Sequence, residues 1–118
     1  MQTIKLFDSE LKVMDIIWEK EPVSAKEVSL IAKDKIGWNK NTTYTVIKKL
    51  IDKNAVKRTE PGFICTSLIN KEDVQKSETQ NLIDKLYNGS RKAFFASFVS
   101  DHISKEELAE LRKLIEKR

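Results

Sequence analysis

A chain of 118 residues, 40% hydrophobic and 34% charged, has the length of one globular domain, or of a domain of about 70 residues with an appendage; two full-sized domains do not fit. Cys65 is its only cysteine and His102 its only histidine, which excludes an intrachain disulfide, a multi-cysteine metal cage and a Cys-His pair with a spare ligand. The net charge of +4 is concentrated: between Trp38 and Thr59, Lys40, Lys48, Lys49, Lys53, Lys57 and Arg58 stand against Asp52 alone, so this stretch holds essentially the whole positive excess. Such a concentration suits phosphate, although charge alone leaves a solvated basic face equally open.

The opening residues Met1 to Lys5 lack a basic segment followed by a long apolar one, and no later apolar run approaches the roughly 18 residues of a membrane span. The expectation is a soluble, cytoplasmic chain with no membrane insertion.

Asp8 is placed to N-cap a first helix whose Leu11, Met14, Ile17 and Trp18 follow helical spacing, and which should stop before Pro22. Ser24 and Glu27 have the spacing of a capping box, with Val23 and Val28 in the positions of a hydrophobic staple. The second helix carries Val28, Ile31 and Ala32 and runs out near Gly37. Asn39 can cap a third helix, and Asn54 can take the left-handed position beyond its end. On a helical wheel Thr43, Val46, Ile47 and Leu50 share a core face, whereas Asn41, Tyr44, Thr45 and Lys48 share the opposite, polar one.

After Asn54 the pattern becomes strand-like, from Ala55 to Thr59 and from Phe63 to Ser67 around a turn at Glu60-Pro61-Gly62, which predicts one short hairpin. Three short helices followed by a basic hairpin is the order of a winged helix-turn-helix. Past Leu68 the composition shifts to helix formers interrupted at Asn88-Gly89-Ser90 and at Asp101 to Ser104. The expected fold is mainly α with a small β-hairpin: a winged-helix DNA-binding domain over 1–69 and a three-helix dimerisation region over 70–118. That tail is too short to bury its own apolar set. Leu82, Leu86, Phe94, Phe95, Phe98, Leu108, Leu111 and Ile115 are therefore expected to share a core with a second copy.

The exposed face of the third helix makes Asn41, Tyr44, Thr45 and Lys48 candidates for reading base edges, since they offer donors, acceptors and a methyl group. The flanking Lys40, Thr42, Lys49, Lys53, Lys57 and Arg58 suit phosphate contacts, which set affinity and register. Trp18 and Trp38 adjoin apolar faces and read as packing residues, Cys65 as a small strand residue, and His102 as a solvated loop residue between two helices. No glycine-rich phosphate loop, nucleophile–base pair or ligand cluster is present, so an enzyme is not expected, and neither a cofactor nor a metal. The alternative to a DNA-binding repressor is a winged helix that contacts another protein without specific DNA binding.

These residues resemble the penicillinase and methicillin-resistance repressors, the BlaI/MecI type, over nearly the whole chain. The resemblance is carried by Glu10, Val13, Met14, Ile17 and Trp18; by Pro22 and Trp38; by Thr42, Thr45 and Leu50; by Leu86-Tyr87 with Gly89; and by Phe98-Val99 and the segment from Glu106 to Ile115. It implies a homodimeric winged-helix repressor on a pseudo-palindromic, double-stranded operator. It also implies induction when a membrane sensor-protease system triggers cleavage in the dimerisation region. The chain departs from the family in Asn39, Lys40 and Asn54, where members often have serine, proline and glycine, and in a hairpin about two residues shorter. The family's scissile Asn-Phe pair aligns with Ser97-Phe98.

Overall fold

The computed structural model describes residues 4–118; Met1 to Thr3, part of the segment read for a targeting signal, lie outside the described residues. The order is α1 (Asp8–Lys20), β1 (Val23–Ser24), α2 (Ala25–Ile36), α3 (Lys40–Asp52), β2 (Val56–Thr59), β3 (Ile64–Ser67), α4 (Lys71–Leu86), α5 (Arg91–His102) and α6 (Lys105–Glu116). By internal contacts the chain divides between Gln75 and Lys76, within α4. No described helix is long and apolar enough to cross a membrane.

Asp8 does not cap α1. Phe7 occupies the cap position with extended backbone angles, and its N–H donates to Glu10 Oε1 at 2.7 Å. The carboxylate three residues into the helix does the work expected of a capping side chain, which leaves Asp8 as the first helical residue, favourably placed against the helix dipole. Val13, Met14, Ile16 and Ile17 are buried along this helix, and Trp18, half-buried, donates its indole N–H to the Ile69 carbonyl at 3.0 Å.

The hairpin is part of a three-stranded antiparallel sheet in the order β1-β3-β2. β1, read from sequence only as the approach to the second helix, pairs Val23 with Cys65 and Ser24 with Ile64. Two residues are too few to show a strand period. Ser24 still accepts the Glu27 N–H at 3.1 Å, and Val23 and Val28 are both buried, but the reciprocal bond from the Glu27 side chain is not made. Helix α2 ends on Gly37 in the left-handed conformation, φ +81°, where a side chain would be strained.

The core joins α1, α2, α3 and the sheet around Met14, Ile17, Val28, Ile47, Leu50, Val56 and Cys65. One ion pair is set into it. Glu10 is 1% exposed and Lys53 30%, with Nζ at 2.7 Å from Glu10 Oε1 and 3.0 Å from the Lys5 carbonyl. Glu10 Oε1 thus carries the Phe7 N–H and the ammonium together, while Oε2 is buried without a hydrogen-bond partner among the described residues. Removing the cation would strand a carboxylate that water hardly reaches. Lys53→Ala is accordingly expected to cost about 3 kcal/mol of stability, whereas replacing both partners by apolar residues should recover most of it. Urea unfolding of the two variants checks this, and a loss under about 1 kcal/mol, typical of surface pairs, would contradict it.

Within the second unit, Ile83 alone is buried among the described residues. Helix α5 starts on a Ser90 cap that accepts the Ala93 N–H, and α6 on the capping box of Ser104 and Glu107, both of whose bonds are 3.1 Å. His102 is not in a loop: α5 continues through Asp101 and His102, and the break is confined to Ile103 and Ser104. The reason is the aromatic ladder along one side of α5, where ring centroids lie 6.0 Å apart for Phe94 and Phe98 and 5.0 Å for Phe98 and His102, one helical turn at each step. Leu82, Leu86, Phe95, Phe98, Leu108, Leu114 and Ile115 are exposed, with Leu86 at 72% and Leu114 at 64%; Phe94 and Leu111 are half-buried.

Candidate nucleic-acid interface

The third helix is oriented by its own core face. Asn39 Oδ1 accepts the Thr42 N–H at 2.8 Å, and burial of Thr43, Val46, Ile47 and Leu50 fixes the helix's rotation. Asn41, Thr45 and Lys48 are consequently exposed, and Lys48 has no ion-pair partner among the described residues. The Thr45 hydroxyl donates to the Asn41 carbonyl at 2.9 Å. Its proton is therefore committed, and what it can still offer a base is an acceptor lone pair and a methyl group.

Tyr44 differs from its neighbours. It is half-buried, and its ring meets Phe63 edge to face, with centroids 5.8 Å apart and planes at 83°. Phe63 ends the hairpin turn at φ +51°, an unusual conformation for a bulky residue, and its ring also lies 3.7 Å beneath the Arg58 guanidinium. The Lys40 ammonium lies 5.6 Å from the centroid of the Tyr44 ring. Tyr44 is thus a strut between α3 and the hairpin, with its hydroxyl the group left for a base. Pattern reading had Phe63 only as a strand residue, because a ring contact between α3 and the turn leaves no local period in the sequence.

Lys40, Thr42, Lys49, Lys57 and Arg58 are exposed around this face. Lys53, expected among them, is directed elsewhere: its ammonium is held by Glu10 and lies 4.4 Å over the Phe7 ring, so it serves the core and is not free for phosphate. Arg58 is also engaged. Its Nε donates to Glu60 Oε1 at 2.7 Å, and Glu60 Oε2 accepts the Phe63 N–H at 2.9 Å. The Phe63 amide first, and the Arg58 guanidinium after it, hold the Glu60 carboxyl below the usual carboxylate range, so it is charged throughout neutral pH. Both partners are about half exposed, so solvent screens the pair and a phosphate can displace it.

The Cys65 thiol is buried in β3, and desolvation pushes its pKa up against the opposing field of Arg58. A thiolate is disfavoured there. Among the described residues no group of three or more His, Cys, Asp or Glu side chains could hold a metal ion.

An exposed polar helix following a second helix across a tight left-handed turn, braced by a basic antiparallel hairpin, defines a winged helix-turn-helix protein. Over residues 6–117 the sequence matches the profile described as penicillinase repressor, and the chain belongs to that family, one of transcriptional repressors and not of enzymes. It is 28% identical over 120 residues to the methicillin resistance regulatory protein MecI of Staphylococcus aureus (strain N315), covering 99% of this chain and 98% of that one. To the penicillinase repressor of Staphylococcus aureus it is 28% identical over 115 residues, covering 95% and 91%. Among solved structures, the DNA-binding domain of the repressor BlaI superposes with a TM-score of 0.56 at 30% identity, over 62% of this chain and 93% of that one. Monomeric BlaI of Bacillus licheniformis in complex with the blaP half-operator gives 0.55 at 30% identity, with the same coverage.

Proposed function

We propose that this protein is a homodimeric, cytoplasmic transcriptional repressor of a pseudo-palindromic operator, with α3 in the major groove and the β2–β3 hairpin on the backbone. The observation that carries the reading is the bracing of α3 by the wing through Tyr44 and Phe63, which puts the polar face of α3 and the cations of the hairpin in one fixed unit. Asn41, Tyr44, Thr45 and Lys48 read bases; Lys40, Thr42, Lys49, Lys57 and Arg58 contact phosphates. The DNA-binding domain spans 1–69 and the dimerisation region 70–118, with the start of α4 packed back on the first core through Val74. Exposed Leu82, Leu86, Phe95, Phe98, Leu108 and Ile115, with half-buried Phe94 and Leu111, form the shared core of the dimer. The relatives' names speak of methicillin resistance and penicillinase, which supports a role in antibiotic resistance; induction through a membrane sensor-protease system rests on the family resemblance.

The test separates the two kinds of contact. Lys48→Ala should lower operator affinity and relax base preference at one position in each half-site by about 1–3 kcal/mol. Arg58→Ala should weaken all duplex sequences alike and make log Kd less dependent on log salt concentration by about one unit. Fluorescence anisotropy with operator and scrambled duplexes across a salt series measures both. Equal loss of discrimination from the two substitutions would refute the division of roles.

A further inference from the structure

We infer that Glu60 limits DNA affinity by competing with phosphate for Arg58, so that the wing's arginine adds to binding only when a phosphate is placed well enough to displace an internal carboxylate. The inference rests on the reading that the wing lies on the DNA backbone. Arg58 is tied to Glu60 through Nε at 2.7 Å and through Nη2, while its flat face rests on Phe63 at 3.7 Å. The second Glu60 oxygen is pinned by the Phe63 N–H at 2.9 Å, so the carboxylate cannot simply swing away when DNA approaches. Both side chains are half exposed at the end of β2 and in the turn after it, so a phosphate approaching the guanidinium would meet the carboxylate as well. Lys57, the neighbouring wing cation, has no ion-pair partner among the described residues.

A charge-neutral Arg58–Glu60 pair releases fewer counterions than a free arginine, since the carboxylate offsets what the guanidinium gains. Phosphate contacts carry no sequence information, so restraint at this point lowers binding to all DNA and leaves more of the affinity to the base-reading face of α3. Phe63 also touches Tyr44, which places the restrained arginine in the same packed group as that face. Glu60 is in this account a positioning residue acting through Arg58.

The experiment measures Kd for operator and scrambled duplex as a function of KCl, using the full-length wild type, Glu60→Gln, Arg58→Ala and the double variant. Glutamine keeps an oxygen to accept the Phe63 N–H and replaces the charged acceptor of Arg58 by an uncharged NH2, and a thermal melt confirms that each variant is folded. Glu60→Gln is expected to bind both duplexes about two- to five-fold more tightly at 0.1 M salt and to steepen the salt slope by about 0.9. In the Arg58→Ala background the same substitution should yield a clearly smaller gain. An unchanged or weaker Glu60→Gln, with Arg58→Ala weakened, overturns the inference while leaving the wing on DNA. An equal gain in both backgrounds overturns it too, because Glu60 would then act through the general field. Arg58→Ala with wild-type affinity and slope would overturn the wing's placement, and the inference with it.

Discussion

A chain ending at Gln75 is expected to remain folded, to sediment as a monomer and to lose roughly 10²- to 10⁴-fold of its affinity for the operator. The first unit keeps its whole core, including Val74 and the Trp18–Ile69 hydrogen bond, so nothing that holds α3 or the sheet is removed. What goes is the second unit, in which Ile83 alone is buried among the described residues and Leu82, Leu86, Phe95, Phe98, Leu108, Leu114 and Ile115 are exposed. An inventory of that size on about forty residues without disulfide or metal calls for a second copy. Once two half-site readers are joined, the second contact is intramolecular at millimolar effective concentration, and separating them forfeits that gain without altering a single base contact. Sedimentation and anisotropy on the truncated chain test this. A truncated chain that still sediments as a dimer, or that binds the operator like the full chain, would refute the assignment.

How much of this was legible in the sequence depends on the range of the interaction concerned. Asn39, Gly37, Asn54, Ser104 and Glu107 announced helix ends because capping is decided within four residues. The face of α3 was equally open, since Thr43, Val46, Ile47 and Leu50 repeat at helical spacing and the opposite side follows from them. Two of the misses were tertiary, and the others were local contacts that leave no period in the sequence. β1 exists only because β3 runs alongside it, and Lys53 reads as one more cation until the fold brings it to a glutamate 43 positions away. Phe7 caps α1 through a residue inside the helix, and the ring ladder from Phe94 carries α5 past the point where Asp101 and His102 suggested a loop. The pairing of Arg58 with Glu60 spans two residues, yet it takes the hairpin turn to bring them together.

Cutting the chain between Ser97 and Phe98 is expected to dissociate the dimer and release the operator. Both residues are exposed and lie in the middle of α5, and the bond falls between Phe94 and Phe98, whose ring centroids lie 6.0 Å apart with the planes tilted by 32°. Severing it parts the aromatic ladder and detaches Phe98, the rest of α5 and all of α6, removing Leu108, Leu111 and Ile115 from the proposed shared core. The helix must open locally before a protease can reach its backbone, so cleavage should be slow in the resting protein and confined to induced cells. Mass spectrometry of the repressor recovered from such cells should find a fragment beginning at Phe98 as derepression proceeds. Full derepression with the chain intact would mean that the signal acts by another route.

A dimer that reads two half-sites with α3 while the wing holds the backbone should leave a dyad-related footprint, and hydroxyl-radical footprinting of the full-length protein on a duplex selected from genomic DNA by its own binding measures this. Two protected patches related by a dyad are expected, with centres about one helical turn or a small multiple of it apart, and both should be lost on substitution of Lys48 and Thr45 together. Protection that is uniform along the DNA, or a single unpaired patch unaffected by those substitutions, would contradict it.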